Sequence, residues 1–327
     1  MKRSHALVRI AALVACIAAA VPAAAQGVAL RYHWTKGESL TYRTTTRTER
    51  AVTGMPGAPA GPVTIVQTVT QVLKFTAEDV GPDGAATLRQ TFQSTRTEMS
   101  NPAGQFVFDS AAPQASQDAM AQSVREITLA MIGESIVIEM AADGAVRRIE
   151  GASRIADKIS KVMAAANDPG TAQAGQGLRA MFGDDALKST FEQTFPRLSA
   201  PPAKVGDTWT RPLALGNPGV GRITGRSTFT LKALEGPGEA QVARIAVDLA
   251  LKQEGVPPPS GPAAMVMTLG QAGGTGEVLF AVASGRIQRS SMRTDMPSSV
   301  VMNGPDGSPI TMENKSTVTM TMELVQK

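Results

Sequence analysis

The chain has 327 residues, with 32 basic and 28 acidic side chains, a formal net charge of +4 and a pI of about 9.3. Its single cysteine excludes a disulfide within the chain, and with only two histidines a zinc site of the Cys/His type is excluded as well. No run is rich in Lys or Arg, so the sequence offers no electrostatic footprint for nucleic acid.

The first 25 residues have the pattern of a cleavable secretory signal peptide. Three basic residues precede an apolar run over residues 10–21, which is shorter than the roughly 20 apolar residues that span a bilayer. Ala23-Ala24-Ala25 then offers the small side chains that a signal peptidase requires. We expect cleavage before Gln26, a periplasmic or secreted location, and no transmembrane span in the mature chain.

The sequence also contains an alternative processing site. Leu13-Val14-Ala15-Cys16 is similar to the lipobox of bacterial lipoproteins, in which the cysteine is lipidated and becomes the first residue. The apolar run continues beyond Cys16, whereas a lipobox normally ends it. Cleavage before Gln26 is therefore favoured, with a lipoprotein anchored at Cys16 as the alternative.

Removal of residues 1–25 changes the chemistry that the chain can perform. It takes away the only cysteine and three basic residues, which leaves 29 basic and 28 acidic side chains and His33 as the one histidine. We interpret His33 as an edge-strand residue. Asp184-Asp185 is the nearest candidate for a hydrolytic carboxylate pair, but acids at a helix start also complement the helix dipole. No catalytic, cofactor-binding or metal-binding residue is assigned, and no cofactor is expected.

Apolar and polar residues alternate over much of the chain. This period of two is typical of antiparallel strands with one buried and one wet face, and the Thr-rich polar positions suit an exposed sheet surface. The sets that share one strand face are Val69, Gln71, Leu73 and Phe75; Ile223, Phe229 and Leu231; Ile245, Val247, Leu249 and Leu251; Val318, Met320, Met322 and Leu324. The predicted fold class is α+β, rich in β-structure, with a large and mainly antiparallel sheet.

Three amphipathic helices are predicted in the first half, covering the apolar face of the sheet. The first runs over residues 116–132, with Ser116 as N-cap and Gly133 as terminator. The second begins at Ser153 and ends near Asp168-Pro169, and the third runs from Asp184 to Phe195. Residues 167–177, 54–62 and 255–262 are interpreted as loops, and so is the glycine-rich stretch 270–276.

The two halves of the mature chain resemble one another in order. Lys36 to Thr41 matches Val205 to Thr210, Leu73-Lys74-Phe75 matches Leu231-Lys232-Ala233, and the turn at Asp143-Gly144 matches that at Ser284-Gly285. The sequence thus favours an internal duplication into two β-meanders, with a first half over 26–199 and a second over 200–327. We expect them to form one compact unit.

One segment resembles a known family. Phe195-Pro196-Arg197-Leu198, followed by Lys204-Val205-Gly206-Asp207-Thr208-Trp209, is similar to an uncharacterised family of secreted bacterial proteins described only as a domain of unknown function. The resemblance implies a β-rich fold and an exported location but no activity. Physically, Gly206-Asp207 predicts a tight turn that directs Trp209 into the core.

Several functions remain open. The first is a non-enzymatic carrier or binding protein for a hydrophobic small molecule or lipid, for which methionines offer an adaptable lining, although methionine also fills ordinary cores. The second is a structural or interaction module that meets an envelope protein through an edge strand or the Thr-rich face. A carboxylate-dependent hydrolase and thioether binding of Cu(I) at Met265/Met267 and Met320/Met322 are further alternatives.

Overall fold

A computed structural model describes residues 27–54, 61–102, 104–113, 119–165, 184–217, 221–255, 265–303 and 308–326. The predicted signal peptide, Cys16, Ser116, the stretch 167–177 and the central parts of the loops at 54–62 and 255–262 lie outside these residues.

The chain folds into thirteen strands and three α-helices among the described residues. The strands are β1 Ser39–Thr53, β2 Val63–Val80, β3 Ala86–Asn101, β4 Gly104–Asp109, β5 Ser135–Met140, β6 Val146–Glu150, β7 Thr208–Asn217, β8 Gly221–Glu235, β9 Val242–Glu254, β10 Met265–Leu269, β11 Ala272–Ala281, β12 Arg286–Asn303 and β13 Pro309–Gln326. The helices are α1 Ala119–Met131, α2 Ala152–Ala165 and α3 Asp184–Thr194. The predicted β-rich fold with a large antiparallel sheet and three helices in the first half is confirmed.

All strands belong to one antiparallel sheet. Its order is β6-β5-β3-β2-β1-β13-β12-β11-β9-β8-β7, with β4 added to β3 and β10 added to β12. The chain returns at its C-terminus to insert β13 between β1 and β12, so the first and last strands pair along their length. Helix α3 packs against both β6 and β7, the two ends of this order, so the sheet curls until its edges flank one helix.

The alternation of each strand gives the sheet two distinct faces. We call the face that carries Leu40, Tyr42 and Phe75 the inner face, and these three side chains are almost fully buried. The outer face carries ion pairs between neighbouring strands, such as Arg89 with Glu78 at 2.6 Å. Surface pairs of this kind contribute little to stability, about 0–1 kcal/mol each. The inner face therefore supplies most of the driving force for folding.

Aromatic rings fill one end of the inner face, which we call the closed end. The rings meet edge to face, with centroids 5.2 Å apart for Phe75 and Phe195 and 5.4 Å apart for Tyr32 and Phe280. Tyr42 lies 5.8 Å from both Phe75 and Phe195. Edge-to-face pairs add about 0.5–1.5 kcal/mol each beyond the area that they bury. The closed end is thus a tightly packed core.

An irregular segment, residues 29–38, crosses the closed end. Near the start of the described chain, the N–H of Tyr32 donates to Ala142 O beside β6, and the N–H of His33 donates to Gly285 O before β12. His33 was predicted to lie on an edge strand, and this prediction is wrong. Its backbone hydrogen bond goes to a turn rather than to a strand, so residues 29–38 form no ladder.

The glycine-rich stretch 270–276 was also interpreted incorrectly as a loop. β11 begins at Ala272, so Gly273, Gly274 and Gly276 lie within a strand that pairs with β9 and β12 on either side. Glycine is disfavoured in strands when packing demands a side chain, but here the neighbouring backbones leave no room for one.

Candidate ligand-binding cavity

A cavity of about 90 Å³ lies on the inner face, between the end of α3 and the strands of the second half. Its lining is mainly apolar with a few hydroxyls: Pro196, Pro212, Leu213, Ser227, Phe229, Val247, Leu249, Val278, Ser290, Ser291, Met292, Thr294 and Met320, with Glu192 from α3. The space exceeds the roughly 10–15 Å³ that one water needs, and such a lining favours an apolar group over water.

The room in the cavity arises from two glycines of β11. Gly276 faces inward between Val247 of β9 and Met292 of β12. Gly274 lies in the same way between Leu249 and Thr294. All four neighbours line the cavity, whereas the glycines between them contribute no side chain. Two successive inward positions of β11 therefore carry no side chain, whereas the neighbouring strands carry large side chains at the same level.

Close strand packing requires these glycines. A Cβ at Gly276 would lie 2.4 Å from Ser291 O, and one at Gly274 would lie 2.2 Å from Arg293 O. Both contacts are with the backbone of β12, which cannot move aside as a flexible side chain would. The same feature that brings β11 against β12 thus keeps the cavity floor free of side chains.

The roof of the cavity is formed by the end of α3 and by the connecting segment, residues 195–207. Pro196 O accepts a hydrogen bond from Tyr32 Oη at 3.0 Å, and Arg197 O accepts one from Trp209 Nε1 at 3.0 Å. Trp209 stacks on Phe229, with ring centroids 5.6 Å apart. The predicted turn at Gly206-Asp207, which directs Trp209 into the core, is confirmed.

Asp143 ties the connecting segment to the turn between β5 and β6. Its carboxylate accepts a hydrogen bond from Arg197 Nη2 at 3.0 Å and another from the N–H of Ala145 at 3.0 Å. Burial alone would raise the pKa of Asp143, but these hydrogen bonds and the charges of Arg197 and Arg211 outweigh it and hold the pKa below its usual value. Asp143 is therefore ionised at neutral pH, and it fixes the roof.

The two buried tyrosines are held in their neutral form. Burial raises the pKa of Tyr32 well above its usual value, and the charges of Tyr42 and Asp143 add to this effect. Burial also raises the pKa of Tyr42, although the nearby Arg286 guanidinium lowers it in part. Neither phenol can serve as a base near neutral pH, so both act as packing and hydrogen-bonding groups.

Methionines recur on the inner face of three adjacent strands and extend from the cavity toward the end of the sheet opposite the closed end. We call this set the methionine stripe: Met292, Met296 and Met302 on β12, Met312, Met320 and Met322 on β13, and Met267 on β10. Met322 is fully buried, whereas Met296, Met302 and Met312 are partly exposed. Methionine side chains thus recur from the packed core to the part of the inner face that meets solvent.

The two methionine pairs considered for Cu(I) are not brought together. Met320 pairs with Met292 of β12, whereas Met267 pairs with Val300 of the same strand. Eight residues along a strand correspond to about 26 Å. Among the described residues, no group of three or more His, Cys, Asp or Glu side chains is placed to hold a metal ion.

The residues considered for catalysis belong to separate parts of the fold. The ring of His33 is exposed at the closed end, with Nδ1 3.4 Å from Ala283 O. Asp184 opens α3, as expected of an acid at a helix start. None of the helices in the described part of the chain has the length and apolar character needed to cross a membrane.

A second depression lies on the outer face, across β7, β8 and β9. It is an open groove of about 610 Å³ whose polar rim includes Arg222, Arg226 and Lys252. Lys252 pairs with Glu254 at 2.8 Å, and Glu254 also accepts a hydrogen bond from Thr224. The groove is shallow and its charges are partly compensated within it.

Sequence reasoning missed the cavity, although a signal for it exists. The pattern Gly274-Thr275-Gly276 places two glycines on the same strand face, which removes two side chains from that face. The missing information was the register that aligns them with Val247 and Met292.

Likeness to solved structures is weak. Lipovitellin, from a study of its lipid–protein interactions, has a TM-score of 0.42 at 8% identity, and the match covers 90% of this chain but 26% of that chain. DynF from Micromonospora chersina has a TM-score of 0.20 at 9% identity, covering 93% of this chain and 88% of its own. An exported protein with a YmcC-like fold from Bacteroides fragilis has a TM-score of 0.20 at 9% identity, covering 91% and 100%. These scores are too low to support an argument about fold or function.

Comparison with curated proteins gives no match. A family model does match, over residues 83–254, which is more than half of the chain and includes the segment from Phe195 to Trp209. The chain therefore belongs to the family of unknown function DUF6263.

Proposed function

We propose that the protein is an exported, non-enzymatic carrier or binding protein that holds an apolar ligand on the inner face of its sheet. The signal-like residues 1–25 support export, with cleavage before Gln26. The ligand would occupy the cavity beneath α3 and extend along the methionine stripe.

A single observation supports this proposal most strongly. The inner face is filled at the closed end, but Gly274 and Gly276 leave it open at the level of Met292 and Met320. Partly exposed methionine side chains continue from there toward solvent, at Met296, Met302 and Met312. Methionines adapt their shape to irregular ligands because three side-chain bonds rotate.

The chemistry of the lining favours binding over catalysis. Among the described lining residues, the cavity offers hydroxyls, thioethers and hydrocarbon, with Glu192 as a single carboxylate. Glycoside hydrolysis by carboxylates uses two such groups flanking the bond that breaks. We therefore propose that the bound molecule is retained and released unchanged.

The proposal includes a duplicated architecture. In both halves a glycine turn precedes the first strand, at Gly37 and Gly206, and the N–H of each glycine donates to the second strand of its hairpin. Bulges follow at Ala77/Asp79 in β2 and at Leu231/Ala233 in β8. These registers make Ala77 equivalent to Leu231, four residues from the pairing suggested by sequence. They support two meanders of common origin, with β13 inserted between them.

Extraction of the protein tests this proposal. The full chain would be purified from the periplasm of an expressing bacterium, extracted with organic solvent, and the extract examined by mass spectrometry. We expect an apolar compound in near-stoichiometric amount with the wild type and much less with Ser227→Leu, which fills the cavity.

The matched control is Thr228→Leu, one residue away on the outer face, which should retain the compound. Circular dichroism would establish that both variants fold. Wild-type extracts no richer in apolar compounds than extracts of Ser227→Leu would overturn the proposal.

A further inference from the structure

The inner face carries a polar cluster where the methionine stripe leaves the cavity. It consists of Arg50 on β1, Ser316 and Asn314 on β13 and Ser298 on β12, which the strand registers place side by side. Ser298 and Ser316 are buried, and Asn314 Nδ2 donates to Ser298 Oγ at 3.1 Å. This cluster interrupts the run of methionines on the inner face.

Arg50 has no opposing charge within this cluster. The carboxylates of the surrounding strands β1, β12 and β13 all lie on the outer face, at Glu49, Asp295, Glu313 and Glu323. Arg47 on the outer face pairs with Glu49 at 3.2 Å, whereas Arg50 forms no ion pair with any residue that the structure describes. The side chain is exposed, so its guanidinium is free to meet an anion.

A second group in the cluster lacks a partner. Asn314 Oδ1 is buried and accepts no hydrogen bond from the described residues. A buried acceptor without a donor costs about 1–3 kcal/mol. A ligand with a hydroxyl beside its acidic group would satisfy this atom and pair with Arg50 at once.

The spacing between cluster and cavity suits a long chain. Arg50 pairs with Ser316, and the cavity residue Met320 lies four residues farther along β13, about 13 Å away. The buried Met322 lies two residues beyond, at about 20 Å. The inward side chains between them are Met296, Val318 and Met320 with the neutral Thr46, Thr48 and Thr294, and none of them carries a charge.

Resting on the proposed function, we infer that the ligand is a long-chain amphiphile with an acidic head group. Its hydrocarbon chain lies along the methionine stripe with its end in the cavity, and its carboxylate or phosphate pairs with Arg50. A guanidinium group binds a carboxylate or a phosphate in a bidentate manner, so the inference specifies a negatively charged head group and includes both kinds.

Binding measurements on the delipidated full chain test this inference. The ligands are hexadecanoate, hexadecyl phosphate and the neutral alcohol hexadecanol, which share one chain length. We expect an acidic ligand to bind about tenfold more tightly than the alcohol, and Arg50→Gln to remove that difference while leaving the affinity for hexadecanol unchanged. Comparison of the two acidic ligands shows which head group is preferred.

Arg47→Gln is the matched control, because it removes the same charge from the outer face of the same strand, and it should leave all three affinities unchanged. Equal affinity of the wild type for acids and alcohol, or an equal effect of Arg50→Gln and Arg47→Gln, would overturn the inference and leave the proposed function standing. Failure of all three ligands to bind would overturn the proposed function itself.

Discussion

At the scale of single residues, a partly buried ion pair connects the two halves of the sheet. Arg286, the first residue of β12, donates to Glu38 Oε1 just before β1, and β13 lies between these strands. The side chains are only 16% and 19% exposed. Desolvation of both charges is offset by the pair and by the Thr35 N–H bond to the second carboxylate oxygen of Glu38.

Loss of one partner should therefore be more harmful than loss of both. We expect Arg286→Met to lower the free energy of unfolding by about 1–3 kcal/mol, because Glu38 is left partly buried and unpaired. The double variant Glu38→Gln/Arg286→Met should regain part of that loss. Urea denaturation of the single and double variants gives the values, and strictly additive losses would contradict the account.

Asp143 makes stability depend on pH. Since its folded-state pKa lies below the unfolded value of about 3.9, it stabilises the fold above that value, and the contribution is lost as pH falls through the folded pKa. Asp143→Asn should be less stable at pH 7 and should lose less stability on acidification than the wild type. Urea midpoints measured from about pH 6 to pH 2 provide the comparison, and parallel curves for the two proteins would refute this role.

At the scale of elements, β11 is a strand that hydrophobic alternation does not predict in full and that its pairing with β9 and β12 identifies. Alternation in β9 and β13 predicted those strands because one face of each is buried. β11 has glycine at inward positions in its first half, so the apolar signal is missing there and the pattern of residues 270–276 predicts a loop. Only its pairing with Val247 and Met292 shows that Gly276 is a cavity floor.

Because Gly276 lies within a paired strand and not in a loop, its substitution should disturb the packing of β11 against β12. Gly276→Ala places a methyl group within 2.4 Å of Ser291 O, so we expect a loss of about 1–3 kcal/mol in the free energy of unfolding. Thr275→Ala, on the outer face of the same strand, should change it by less than about 1 kcal/mol. Equal effects of the two substitutions on thermal or urea unfolding would contradict this interpretation.

At the scale of the whole molecule, closure depends on contacts that no local pattern contains. The alternating strands β2, β8, β9 and β13, the three helices and the turn before Trp209 were predictable because each follows from spacing within a few residues. The pairing of β1 with β13 and the position of α3 between β6 and β7 join residues far apart in sequence. The cavity depends on both, since its roof and its floor come from different parts of the chain.

The central claim is that the space between α3 and the second half of the sheet binds an apolar molecule. Titration of the delipidated protein with the neutral fluorescent probe N-phenyl-1-naphthylamine tests it most directly, with Val247→Phe filling the cavity and Ala246→Val changing the outer face of the same strand. We predict saturable binding to the wild type and to Ala246→Val, and binding at least tenfold weaker to folded Val247→Phe. No saturable binding to the wild type, or the same affinity for all three proteins, would contradict the claim.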